Sequence, residues 1–125
     1  MDERFGKDYK LCSKKIMAAI FEKGKFEKTY PFILRYLATD LPTSKCFQVV
    51  ISVPKRKFKR AVDRNRIKRV IREAVRKNKY ILEQAYDEGE TQMALFIIYS
   101  SNKEEPYQKV FNKIESLFQR LVKNG

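Results

Sequence analysis

The 125-residue sequence contains no histidine and only two cysteines. Histidine is the most frequent general base near neutral pH, so its absence removes the most common route to acid–base catalysis. Cys12 and Cys46 are too few, and too far apart in sequence, to hold zinc without a histidine. We interpret both as ordinary thiols of a protein in a reducing compartment.

Several other features are scarce or missing. No run approaches the roughly 18 apolar residues of a membrane span, and the first residues lack the apolar segment of a signal peptide. The sequence has no glycine-rich phosphate loop, and its acids cluster only in a polar turn predicted at residues 87–90. These absences predict a cytoplasmic protein with no membrane partner, no catalytic residues of its own and no protein-bound metal or cofactor.

Length and composition predict one domain spanning residues 1–125, and hydrophobic patterning predicts its elements. A short helix is expected over residues 13–23, with Ser13 as its N-cap and Gly24 as its stop. A C-terminal helix is expected to open with Pro106 in its first turn. Strands are expected over residues 32–38, 46–53 and 93–99. The strand at 93–99 is apolar on both faces, which is typical of the middle of a sheet.

Positive charge is what the chain has in excess, and it is concentrated in one segment. Thirteen of the 28 lysines and arginines lie in residues 55–79, where the only acids are Asp63 and Glu73. This window carries a net charge of +11, out of +13 for the whole chain. A surplus confined to one segment predicts a surface for a polyanion, most often nucleic-acid phosphate.

From Asp63 onward the window has the period of an amphipathic helix, and Asp63 is its expected N-cap. The apolar positions Ile67, Val70, Ile71, Ala74 and Val75 form one stripe. At 100° per residue the outer side carries Asn65, Arg69, Arg72 and Arg76, one flank carries Arg66 and Lys77, and the other carries Lys68 and Lys79. Solvent-exposed helix faces usually mix acids with bases, whereas this face places like charges side by side. The pattern therefore indicates an anionic partner that offsets their repulsion. With the strands and the other helices, it predicts an α/β (α+β) two-layer sandwich, a small mixed sheet with about three helices.

Residues 61–73, AVDRNRIKRVIRE, preceded by Val53-Pro54-Lys55-Arg56, resemble the signature of the bacterial ribonuclease P protein subunit. The order and spacing of the predicted elements resemble that family over nearly the whole chain. The resemblance implies a ribosomal-protein-like fold with a left-handed crossover between parallel strands. It also implies that a partner RNA, ribonuclease P RNA, uses Mg²⁺ to remove the 5′ leader of precursor tRNA, which the protein assists.

The resemblance further implies two binding surfaces, for RNA rather than DNA. The signature helix and its loop contact the catalytic RNA. The predicted RNA-binding residues are Lys55, Arg56, Arg60, Arg64, Asn65, Arg66, Lys68, Arg69, Arg72 and Arg76. A cleft between the first helix and the sheet holds the single-stranded leader, through Met17, Phe21 and either Arg35 or Tyr36. Met17 departs from the family, in which phenylalanine is common there, and Met17 and Phe21 are equally compatible with a core position.

Three alternatives remain open at this stage. A basic ribosomal-type protein would use the same cationic helix without taking part in cleavage. A DNA-binding protein would place that helix in a major groove, but the helix commits one side to the core and no dimerisation heptad follows it. A protein-only nuclease would need a carboxylate cluster, which the sequence does not suggest.

Overall fold

The computed structural model describes residues 7–86 and 91–124. Over these residues the chain forms three α-helices, four β-strands and a short 3-10 turn at Lys7–Tyr9. The elements, in chain order, are α1 (Lys14–Lys23), β1 (Lys25–Thr29), β2 (Phe32–Ala38), β3 (Phe47–Ser52), α2 (Ala61–Ala85), β4 (Met93–Tyr99) and α3 (Tyr107–Asn124). No helix in the described ranges is long and apolar enough to cross a membrane. The predicted turn at 87–90 lies outside the described residues.

The strands pair into one mixed sheet with the order β1-β2-β4-β3. β1 and β2 form an antiparallel hairpin, β4 runs antiparallel to β2, and β3 runs parallel to β4. The doubly apolar strand β4 therefore lies between two neighbours, as its composition predicts. The parallel strands β3 and β4 are connected through α2, and the left-handed crossover implied for this connection stays a prediction.

Helices cover both faces of the sheet. On one face, α2 and α3 pack against the main core, in which Ile71, Leu95 and Phe118 are fully buried. On the other face, α1 packs through Ile20 onto a smaller cluster that includes Ala94 of β4. Successive residues of a strand point to opposite faces, so β4 contributes to both clusters. As a result, α1 and α2 expose surfaces on opposite sides of the molecule.

Both ends of α1 match the sequence prediction. The Ser13 hydroxyl accepts a hydrogen bond from the Ile16 backbone N–H at 3.2 Å, which satisfies one of the free donors of the first turn. The Gly24 N–H donates to the Ile20 carbonyl at 2.8 Å. A Cβ at Gly24 would lie 2.5 Å from the Ile20 oxygen and 2.6 Å from the Tyr36 oxygen. Glycine is therefore required where the chain leaves α1 against β2.

The α/β class, the mixed sheet and the three helices are confirmed, and strands 32–38 and 93–99 have the predicted bounds. The predicted strand 46–53 is one residue shorter at each end. β1 was not predicted, because three of its five residues are charged. Tertiary contacts stabilise it, since Arg120 of α3 donates to the Lys28 carbonyl at 3.1 Å and to the Thr29 hydroxyl at 2.9 Å.

Candidate RNA interface

α2 presents an apolar stripe to the core and a cationic face to solvent, as the helical phasing predicts. The buried residues of the helix are Ile67, Ile71, Ala74, Val75, Asn78, Lys79 and Leu82. Exposed on the other side are Asn65, Arg66, Arg69 and Arg72, whereas Arg64, Lys68 and Arg76 are half-buried. The ten predicted RNA-binding residues, from Lys55 to Arg76, are called the basic surface below.

The loop before α2 is held in place by contacts to the helix and the core. The Pro54 carbonyl accepts a hydrogen bond from the Phe58 N–H at 3.3 Å, and the Phe58 ring lies 6.0 Å from that of Tyr99. Nη1 of Arg64 donates to the carbonyls of Phe58 at 2.7 Å and Lys59 at 3.0 Å. Arg64 therefore braces the loop as well as adding charge. The loop leaves three predicted cations exposed: Lys55, Arg56 and Arg60.

The cations of the basic surface differ in whether they already have an acidic partner. Arg66 is paired with Glu104 and Asp63, and Arg76 is paired with Glu73. The hydrogen bonds from Arg76 hold the pKa of Glu73 below its ordinary value. Arg60 lies 3.8 Å from Asp63. The side chains of the basic surface that form no hydrogen bond or ion pair with another described residue are Lys55, Arg56, Asn65, Lys68, Arg69 and Arg72. The middle of the helix thus offers cationic groups that are available to a phosphate.

Two details of the predicted helix are wrong. The helix begins at Ala61 rather than after Asp63, and Arg60 at the N-cap position provides no side-chain hydrogen bond. Asp63 lies in the first turn, where its charge still favours the positive end of the helix dipole. Lys79 is 3% exposed rather than on a cationic flank, because its ammonium group lies 4.7 Å from the centre of the Tyr9 ring. The segment before α1 covers that part of α2.

The second predicted surface lies where the end of α1 meets the sheet. Phe21 is 45% exposed, and its ring makes an edge contact with Phe96 at 4.8 Å. The Arg35 guanidinium lies 4.8 Å from the centre of the Phe21 ring and donates to the Phe21 carbonyl at 3.3 Å. Met17 is half-buried against the small cluster beneath α1. The structure thus brings Phe21 into contact with Arg35 and Phe96, and Met17 lies one helical turn before Phe21 on α1. Met17, Phe21, Arg35 and Phe96 are called the cleft below.

Tyr36 does not join them. It is 3% exposed and belongs to the main core, on the face of the sheet opposite to α1. Burial, with a smaller contribution from Glu27, raises the pKa of its phenol. The strand register, which the sequence left undecided, therefore directs Arg35 rather than Tyr36 towards Phe21.

Sequence reasoning missed two aromatic residues near the cleft. Arg35 of β2 pairs with Phe26 of β1 on one side and with Phe96 of β4 on the other. Phe26 is 61% exposed. It lay outside every predicted element, and Phe96 lay in a run that is apolar on both faces, so neither carried a signal of its orientation. Only the cross-strand pairing places both beside Arg35.

The chemical groups of the basic surface and the cleft are suited to binding phosphates and bases. In the described ranges, no group of three or more Cys, Asp or Glu side chains is arranged to hold a metal ion. The basic surface offers guanidinium and ammonium donors for phosphate oxygens, and the cleft offers an exposed ring on which a base can stack. The two surfaces lie on helices that cover opposite faces of the sheet, so one partner or two can engage them together.

Comparison with known proteins identifies the family of this chain. A family model described as Ribonuclease P matches residues 5–122. The ribonuclease P protein component of Porphyromonas gingivalis is 29% identical over 105 residues, which cover 84% of this chain and 77% of that protein. Its Thermotoga maritima counterpart is 32% identical over 87 residues, covering 70% and 71%. The solved structure of the RNase P protein from Thermotoga maritima matches with a TM-score of 0.71 at 20% identity, covering 89% of this chain and 96% of that one. The chain therefore belongs to the ribonuclease P protein family, the protein subunits of the enzyme that matures the 5′ ends of tRNA.

Proposed function

We propose that the basic surface binds ribonuclease P RNA. The observation that carries this proposal is the set of cations in the middle of α2, Lys68, Arg69 and Arg72, which have no acidic partner among the described residues. Their mutual repulsion is unfavourable in the free protein and is offset when phosphates lie against them. Arginine suits this contact because its planar fork can grip two phosphate oxygens at once.

We also propose that the cleft binds the single-stranded 5′ leader of precursor tRNA. The Phe21 ring is 45% exposed although it is fixed by Phe96 and Arg35, so it is a rigid surface on which a base can stack. Phe26 extends the same row across the sheet to its edge strand. Stacking on a ring depends little on base identity, which suits a leader whose sequence differs from one tRNA to the next.

In this proposal the protein does not carry out the chemistry. The RNA subunit supplies catalysis with Mg²⁺, and the protein contributes binding and orientation without a cofactor of its own. The cytoplasm is the proposed compartment, and the exposed thiol of Cys12 suits its reducing conditions. DNA is not a proposed partner, because the ribonuclease P family to which the chain belongs works with an RNA subunit.

Cleavage of a precursor tRNA at limiting Mg²⁺, by ribonuclease P RNA with and without this protein, tests the proposal. We expect the protein to raise the cleavage rate, because its cations offset phosphate repulsion that Mg²⁺ would otherwise have to screen. We expect no cleavage by the protein without RNA. Equal rates with and without the protein, or cleavage by the protein alone, would overturn the proposal.

A further inference from the structure

Arg66 differs from its neighbours on the basic surface because two carboxylates hold its guanidinium. Nε donates to Oε1 of Glu104 at 2.7 Å, and Nη2 donates to Oε2 of Glu104 at 2.8 Å. Nη2 also donates to Oδ1 of Asp63 at 2.7 Å. These hydrogen bonds, with that of Glu104 first among them, raise the pKa of Arg66, and the same contact lowers the pKa of Glu104.

The arrangement of the Arg66 donors shows that this pairing prevents a two-point contact with phosphate. A guanidinium has five N–H groups, and a two-point grip on phosphate uses either the Nε and Nη2 edge or the Nη1 and Nη2 edge. Glu104 occupies the first edge, and Asp63 takes the remaining Nη2 donor that the second edge requires. As held in the free protein, Arg66 therefore cannot make a two-point contact with a phosphate.

The pair is accessible to a competing anion. The side chains of Arg66 and Glu104 are 49% and 43% exposed, so neither carboxylate nor guanidinium is enclosed by the core. Glu104 lies between β4 and α3, on a different element from Arg66, and contributes no other hydrogen bond to a described residue. An anion could replace it without disturbing a helix or a strand.

We propose that the Glu104 carboxylate imitates a phosphate, occupying the fork of Arg66 in the free protein until a phosphate of the bound RNA displaces it. The inference rests on the proposed RNA-binding function of the basic surface. Arg69 and Arg72 are available to any RNA. Arg66 binds only an RNA that places a phosphate beside its guanidinium while Arg69 and Arg72 keep their own contacts with that RNA. The exchange makes Arg66 a selective contact, and an exposed ion pair changes an equilibrium by a factor of up to about five.

The variant Glu104→Gln tests this exchange because it keeps the shape of the side chain and removes its charge. The full chain would be titrated with ribonuclease P RNA at low and at moderate salt. We expect Glu104→Gln to bind this RNA roughly two- to fivefold more tightly than the unmodified protein. Thermal unfolding of both proteins checks that the exposed substitution leaves the fold intact. Weaker or unchanged binding by a folded Glu104→Gln would overturn the inference.

A double-mutant cycle with Arg66→Ala separates the exchange from a general effect of charge. Removing a negative charge near RNA could favour binding without involving Arg66. If Glu104 acts by occupying Arg66, Glu104→Gln should have no effect on affinity in the Arg66→Ala background. The same gain in both backgrounds would overturn the inference. Failure of the unmodified protein to bind the RNA would instead overturn the proposed function, so the two failures can be told apart.

Discussion

The basic surface and the cleft lie on helices that cover opposite faces of one sheet, and they differ in how they are built. The basic surface comes from one continuous segment of loop and helix, and its cations act through charge. The cleft is assembled from α1, β2 and β4, whose residues Phe21, Arg35 and Phe96 are far apart in sequence. The residues of the basic surface are neighbours in sequence, whereas those of the cleft meet only in the folded protein.

This difference separates the expected roles of the two surfaces. Attraction between charges persists over roughly 8 to 10 Å at ordinary salt, so the basic surface tolerates small changes in geometry. Stacking requires direct contact, so the cleft depends on the placement of a single ring. We therefore expect the basic surface to set affinity for the RNA subunit and the cleft to distinguish precursor from mature tRNA.

The largest effect is expected from Ile71→Ala, which tests whether the two sides of α2 are independent. Ile71 is fully buried, so its truncation should lower the free energy of unfolding by about 2 to 5 kcal/mol. The neighbouring variant Arg72→Ala should change it by less than about 0.5 kcal/mol, because Arg72 is exposed. Denaturant unfolding measures both. Similar losses for the two variants would contradict the assignment of one side to the core.

A smaller effect, confined to the cleft, is expected from Phe21→Ala. Loss of the ring should weaken binding of precursor tRNA by about 1 to 3 kcal/mol more than binding of mature tRNA, because only the precursor has a leader to stack. Tyr80→Ala is a matched control, since Tyr80 is 40% exposed but lies on α2. Equal losses on both tRNAs, or a comparable effect of Tyr80→Ala, would show that Phe21 has no specific role in leader binding.

Arg69→Ala should weaken binding of the RNA subunit at the basic surface without changing binding at the cleft. Loss of one phosphate contact should reduce the slope of log affinity against log salt by up to about one unit, and lower affinity for the RNA subunit about fivefold near 0.15 M salt. Discrimination between precursor and mature tRNA should not change. Lys123→Ala removes one positive charge near the end of α3 and should leave the slope unaltered. An unchanged slope for Arg69→Ala would remove Arg69 from the interface.

The smallest effect is expected on the free energy of unfolding when acid protonates Glu104 and breaks its ion pair with Arg66. In the folded protein the hydrogen bond with Arg66 lowers the pKa of Glu104 below its ordinary value of 4.5. The ion pair therefore stabilises the fold above pH 4.5, and this stabilisation is lost as the pH falls through the lowered pKa. Both side chains are about half exposed, which keeps the contribution small. Unfolding of the unmodified protein and of Glu104→Gln from about pH 6 to about pH 3 measures it. A stability difference that does not change with pH would contradict this prediction.

Local patterns predicted most of the fold. The period-3.6 stripe of α2, the cap at Ser13 and the apolar strand at 93–99 are set by neighbouring residues, and the structure confirms them. β1 was not predicted because its composition is highly charged. Its pairing with β2 and the hydrogen bonds from Arg120, which join distant parts of the chain, stabilise it in the folded protein. The N-cap at Asp63 was wrong because the helix begins with Ala61, where the preceding loop folds back on Arg64.

The sequence by itself determined that positive charge is concentrated in one stretch of the chain, because residues 55–79 carry a net charge of +11 and the apolar stripe of the helix turns most of its cations towards solvent. Only the tertiary structure decided which of those cations are available. Glu104, 38 residues away in sequence, reaches Arg66, whereas Arg69 stays without a partner among the described residues. It also decided that Arg35 rather than Tyr36 lies beside Phe21, because the face a strand residue occupies depends on pairing between distant segments.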